Sequence, residues 1–280
     1  MLGNRLRRPL AVLLLTAFSL PALADGFITR LLNKPVPGGV AVVVLPEQAE
    51  APRATFQGKP LLTIREDGQR WIAIVGLGLD VPAGQQQIDL ADGRQLAFNV
   101  SSREYTQQHI TLKNRSQVNP DPAQLARIER ELKEQTDAYA HFSPRQPSNL
   151  LFDRPVPGRQ SSPFGVRRFF NGEERNPHSG LDFAAGTGTP IKAPAAGQVI
   201  LVGDYFFNGK TVFVDHGQGL ISMFCHLSAI DVAVGQEIPR GGVLGKVGST
   251  GRATGPHLHW NASLNGNRVD PTIFIGTYQP

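Results

Sequence analysis

From Leu150 onward the chain is cut by glycine into short apolar runs, and no stretch sustains a helical period. The runs "GQVILVG", "KTVFVDH", "GLISMFCHL", "GGVLGKVG" and "HLHWNASL" have the length and β-branched content of strands. Such a pattern is incompatible with a helical bundle and predicts an all-β domain whose loops are set by glycine. The region from about Phe27 to Leu112 repeats the theme. "GGVAVVVL" follows a Gly-Gly turn, and "RWIAIVGL" and "RQLAFNV" follow "EDGQ" and "ADGR", where Asp-Gly supplies the left-handed backbone of a hairpin. Strands at this spacing predict a small antiparallel sandwich or barrel. His109, alone in "HITL", reads as a strand-surface residue.

One helix separates the two regions. In "NPDPAQLARIERELKEQTDAYAHF", Asp121 is the N-cap, Pro122 the first helical residue, and Gln124 completes a capping box. Leu125, Ile128, Leu132 and Tyr139 share a face suited to packing between domains, and Glu129 can pair with Lys133. "SPRQPSN" then breaks the chain. The predicted organisation is a leader over 1–24, an N-terminal β-sandwich-like domain over 25–117, a linker helix over 118–143 and a second β domain over 144–280. A chain starting near Pro144 is accordingly expected to fold alone.

Arg5, Arg7 and Arg8, an apolar run from Leu10 to Leu20, and "ALA" at 22–24 read as a secretory signal peptide; the run is too short to span a bilayer. Export to the periplasm is the expectation, with secretion the alternative, and no later stretch predicts a membrane span. The formal charge of +5 falls by three to +2 without the leader, so a pI of 9.6 gives no support to nucleic-acid binding. One cysteine, Cys225, allows no internal disulfide and, directly after the cut, no lipidated residue.

Chemistry concentrates in three places. In "PHLHW", strand alternation puts His257 and His259 on one face and Leu258 and Trp260 on the other. Both imidazoles can address one ion, or one can bind while the other handles protons. In "HSGLDF", His178 and Asp182 share a face with only Gly180 between them. Two histidines and a carboxylate make a three-ligand set that leaves a zinc position open. His226 ends "SMFCH"; alternation directs its neighbour Cys225 away from it and into the core. Each element alone is weak; their joint occurrence beside glycine turns is not. The aromatics of "DYFFNGK", Tyr205, Phe206 and Phe207, fit a groove wall or a core equally.

These motifs, with "AAGTGTPIKAPAAGQV", "VAVGQEIPRGGVLGKVGSTGRATG" and "VDPTIF", run in order from Ser162 to Phe274, roughly 40% of the chain. This stretch resembles the lysostaphin/LytM-type zinc metallopeptidases of bacterial cell walls. The resemblance implies a hybrid-motif β-sandwich, Zn2+ held by His178, Asp182 and His259, and catalytic roles for His226 and His257. It also implies peptidoglycan peptides as substrate, and, in a periplasmic protein, the D-alanyl–diaminopimelate cross-link. Cleavage of glycine bridges by a secreted bacteriolytic enzyme and non-catalytic activation of another wall hydrolase are the alternatives. Regulators of the latter kind have lost ligands, whereas all five positions are filled here. Two positions depart from the pattern: Cys225 stands where alanine is common, and Asn261 where an acidic residue is common. "APAAGQVILVG" also suits a lipoyl- or biotin-carrier hairpin, but neither Lys192 nor Lys210 has the methionine-flanked setting such carriers need.

Overall fold

The computed structural model describes residues 26–111 and 120–279; the leader reading lies outside them. The N-terminal part opens with α1 (Phe27–Leu32), a six-residue helix within the span read as strands. Buried Glu66 ties it down by accepting from Thr29 N and Oγ1 at 2.6 and 2.8 Å. Strands β1 (Val40–Val44), β2 (Ala54–Phe56), β3 (Lys59–Pro60), β4 (Leu62–Glu66), β5 (Arg70–Gly76), β6 (Gly84–Leu90) and β7 (Gln95–Val100) follow. They form two antiparallel sheets, ordered β1-β5-β4 and β3-β2-β6-β7.

Period-two alternation explains how the first of these sheets is used. Ala41, Val43, Ala73 and Val75 join Phe56, Ile88 and Val100 in a core between the two N-terminal sheets. Their neighbours Val40, Ile72 and Ile74, with Leu62, point the opposite way. They join the core of the C-terminal part, which includes Leu220, Phe224, Trp260 and Leu264. The β1-β5-β4 sheet is therefore apolar on both faces, and the two regions share a core.

Strand β8 (Gln107–Ile110) leads towards α2 (Pro122–Ala140). Asp121 caps α2 with the full reciprocal box to Gln124, as the sequence predicts. The predicted apolar face is split, however. Ile128 and Tyr139 are buried, but Leu125 and Leu132 are 52% and 55% exposed and line a groove instead. Lys133 pairs with Asp137, and not with Glu129, while Arg127 pairs with Glu131.

The C-terminal part adds β9 (Gln160–Ser162), β10 (Arg167–Phe170), β11 (Glu173–Arg175), β12 (Leu181–Phe183), β13 (Pro190–Lys192) and β14 (Gly197–Tyr205). It continues with β15 (Gly209–Gly217), β16 (Leu220–Ile230), β17 (Glu237–Ile238), β18 (Val243–Val247), β19 (Leu258–Leu264) and β20 (Asn267–Val269). The main path is β17-β14-β15-β16-β19-β12-β9, with β13, β18 and β20 attached beside it. The fold is all-β, as expected. β8 supplies an exception to antiparallel pairing: it lies parallel to β10, and its His109 stacks on Phe169 with ring centres 4.7 Å apart. One face of the main sheet carries the shared core. The opposite face of β15 and β16 carries Phe213, Ile221, Met223 and Cys225 beneath Tyr139 of α2. No helix among the described residues is long and apolar enough to cross a membrane.

Candidate metal centre

Strand pairing assembles the centre. Asp182 on β12 lies opposite His259 on β19, and residues paired directly across an antiparallel ladder point to the same face. His178, just before β12, is held by reciprocal backbone bonds, its N–H to Val166 O at 2.8 Å and its carbonyl to Gly165 N at 2.7 Å. His178 Nε2, Asp182 Oδ1 and His259 Nδ1 then form a triangle with edges of 3.0, 3.0 and 2.8 Å.

The outer hydrogen bonds decide what those atoms offer. His178 Nδ1 faces the Pro163 carbonyl at 2.7 Å, which can only accept, so that nitrogen carries the proton. His259 Nε2 faces Asn261 Oδ1 at 2.7 Å, and the Asn261 amide nitrogen donates to the Ser179 carbonyl, which fixes its oxygen towards the ring. Each imidazole, when neutral, thus turns a lone pair inward, where Asp182 adds a carboxylate oxygen. Burial holds His178 below its ordinary pKa. Burial alone would raise the Asp182 carboxyl, but the two histidines beside it carry it well below the usual carboxylate range. With both histidines in these tautomers, three acceptor atoms face one another at hydrogen-bond distance, a cluster that could hold a metal ion. The donor set of two imidazoles and a carboxylate suits Zn2+.

Gly180 is required by this packing. A Cβ there would lie 2.6 Å from His259 Nε2 and 2.7 Å from its Cε1. Gly180→Ala is therefore expected to push the His259 ring out of register and weaken zinc binding about 10- to 100-fold. Competition titration against a chromogenic chelator measures this, and unchanged affinity would refute the close-approach argument.

His226 and His257 flank the triangle. Their rings are 4.8 Å apart, and His226 lies 6.0 Å from His259. Each directs Nδ1 at a carbonyl 2.8 Å away, His226 at Thr250 O and His257 at Gly255 O. Nε2 is left as the working nitrogen on both. Burial first, then the neighbouring His259 and His257, push His226 down to about 3, so it is neutral at physiological pH.

The position of His226 departs from simple alternation. Cys225 pairs opposite His259, so a regular strand would turn His226 to the other face. Val212 pairs with Phe224 but Lys210 with Leu227, which leaves β16 one residue too many, and His226 adopts φ 64°. This is a β-bulge, and it brings His226 back to the face of the triangle. Cys225 is buried as expected, but in the small core under α2, and the alternation that was to separate the two residues is interrupted between them.

Arg168 has no sequence signal. On β10, it reaches Asp182 Oδ2 at 3.3 Å and Ser162 Oγ at 3.2 Å, fixing the carboxylate oxygen turned away from the triangle. The groove over the site is lined by Leu125 and Leu132 of α2 and by Phe207 and Arg252, among others. Tyr205 of "DYFFNGK" is buried, whereas Phe207 faces the groove.

Residues 176–271 match the model described as Peptidase family M23, and residues 33–103 match the Peptidase family M23 N-terminal domain. A crystal structure of a peptidase M23 from Pseudomonas aeruginosa is 61% identical with a TM-score of 0.78, and the match covers 90% of this chain and 100% of that one. DD-carboxypeptidase/endopeptidase Mpg of Neisseria meningitidis serogroup B is 43% identical over 113 residues, covering 40% of this chain and 26% of the relative. Peptidoglycan DD-endopeptidase ShyA of Vibrio cholerae is 39% identical over 113 residues, with the same 40% and 26% shares. The chain thus spans about a quarter of the length of the curated relatives it matches.

Proposed function

The chain belongs to peptidase family M23, and from that membership and the geometry of the site we propose that it is a zinc endopeptidase of the bacterial cell wall. The bond proposed is the D-alanyl–diaminopimelate cross-link, and the compartment is the periplasm. The observation that carries the reading is the convergence of three inward-facing acceptors beside two imidazoles whose Nε2 atoms are left for chemistry. The names of the Neisseria and Vibrio relatives support the substrate. The basic and apolar leader read at 1–24 supports export.

His178, Asp182 and His259 would hold the zinc. Bound there, the ion supplies Lewis-acid chemistry, polarising a peptide carbonyl and acidifying water to a pKa of about 7. The chain's own residues do the rest. A neutral imidazole Nε2 on His226 or His257 accepts the proton of the attacking water. The imidazolium so formed steadies the developing oxyanion or returns the proton to the leaving amine. The Thr250 and Gly255 carbonyls hold both rings in the tautomer this requires. Asn261 does the same for the ligand face of His259, a task for which a neutral amide suffices.

The test is mass spectrometry of muropeptides after incubation of isolated peptidoglycan with zinc-loaded protein. New free diaminopimelate amines and D-alanine carboxyls at former cross-links are expected, with loss of that activity on chelation and return on zinc addition. Intact cross-links after incubation with protein holding one zinc per chain would overturn the reading.

A further inference from the structure

We propose that Arg252 is a specificity-determining residue that recognises a free carboxylate beside the scissile bond, an inference that rests on the endopeptidase reading above. Arg252 lies in "STGRATGPHLHW", and the catalytic and metal assignments do not use it. Its guanidinium carbon sits 4.2 Å over the Phe207 ring and 4.9 Å over that of Phe170, both residues lining the groove that contains the histidines. Its backbone N–H donates to Phe207 O at 2.7 Å. Two residues earlier, the Thr250 carbonyl accepts from His226. One short loop therefore sets both a catalytic imidazole and this guanidinium.

A guanidinium stacked on aromatic rings uses its faces for packing and presents its N–H groups at the edge, in the fork that matches a carboxylate. Its side-chain freedom is spent before the ligand arrives, and partial burial strengthens the charge-assisted bond. Charges of both signs surround Arg252: Glu131, Glu174 and Asp182 line the groove too, Arg168 pairs with Asp182, and Arg175 pairs with Glu173. Arg168 and Arg175 line the same groove, and burial together with their repulsion brings Arg252 down to about 10, still protonated at neutral pH. Arg168 Nε is buried and has no hydrogen-bond partner among the described residues.

The substrate chemistry supplies the carboxylate. In a D-alanyl–diaminopimelate cross-link, the acylated nitrogen is attached to a carbon that also bears a free carboxylate. A glycine bridge offers no anion at that position. Arg252 would thus favour the first substrate class over the second on electrostatic grounds.

The experiment compares two synthetic cross-linked peptides that differ only in that group, carboxylate or carboxamide, using zinc-loaded protein and Arg252→Gln. Amidation is expected to lower kcat/KM of the natural sequence about 10- to 100-fold, the range for a hydrogen-bonded charge. Arg252→Gln should cut both peptides at nearly the same low rate. A purely structural role would slow both peptides equally and leave their ratio intact, and that result overturns the proposal. So does equal cutting of both peptides by the natural sequence, a comparison that stands even if the variant fails to fold. If neither peptide is cut, the endopeptidase reading falls separately. Calorimetry with a diaminopimelate peptide and its carboxamide then decides on Arg252: tighter carboxylate binding supports it, and equal binding removes it.

Discussion

His259→Ala is expected to abolish both bound zinc and hydrolysis, whereas His257→Ala should keep the metal and lose only rate. The two residues are separated by one leucine, yet their hydrogen bonds differ in kind. His259 turns Nδ1 to within 3.0 Å of His178 Nε2 and 2.8 Å of Asp182 Oδ1, and its other nitrogen is locked by Asn261. Removing it leaves two protein donors and an orphaned amide. His257 has no place in that triangle, and its Nδ1 is tied to Gly255 O. Loss of a proton-transfer group typically costs about 10²–10⁴-fold in rate. For His226, asparagine is the better probe than alanine, because the residue sits at φ 64°, a conformation asparagine tolerates. His226→Asn should match His257→Ala in zinc content and in the order of its rate loss. Elemental analysis and turnover of each purified variant provide the two readings. Equal zinc loss in the His257 and His259 variants would make both ligands and end the division of labour.

The elements most legible in the sequence were those governed by local rules. The α2 cap follows from Asp121, Pro122 and Gln124 alone, and the β5, β7, β14, β15 and β16 runs lie within a few residues of their predicted spans. The H-x-H spacing and the small residue between His178 and Asp182 announced a shared face. What escaped depends on partners distant in sequence. Nothing near Arg168 reveals that β10, in a separate sheet, brings it to Asp182 of β12, and no periodicity marks the bulge that re-aims His226. The short α1 lacks a side-chain cap and is held by Glu66, 37 residues from Thr29, so a local reading misses it. Leu125 and Leu132 have helical spacing that is indistinguishable from a core face until the groove beside them is seen.

A chain starting at Pro144 is expected to lose cooperative folding, contrary to the independence that the break at "SPRQPSN" suggests. The break lies in the sequence, not in the core. Leu32, Val40, Leu62, Ile72 and Ile74 are buried in the same cluster as Trp260, Leu264 and Val269. A fully buried side chain of this size contributes about 1.5–3 kcal/mol, and folded domains hold only about 5–15 kcal/mol in total. Polar contacts add to the loss. Gly76 exchanges bonds with the Asn265 side chain at 2.7 and 3.1 Å, and Thr63 N–H donates to Gln218 at 3.0 Å. Deletion would leave Asn265 and Gln218 without these partners and would also uncover Phe213, Met223 and Cys225 as Tyr139 departs. Because β19 carries His259 and packs on β5 through this interface, the damage should reach the metal triangle as well. Thermal unfolding followed by near-ultraviolet circular dichroism, with zinc content measured in parallel, gives the readout. A sharp transition within a few degrees of the full chain, at full zinc occupancy, would show that the sheet bearing the site folds without its N-terminal support.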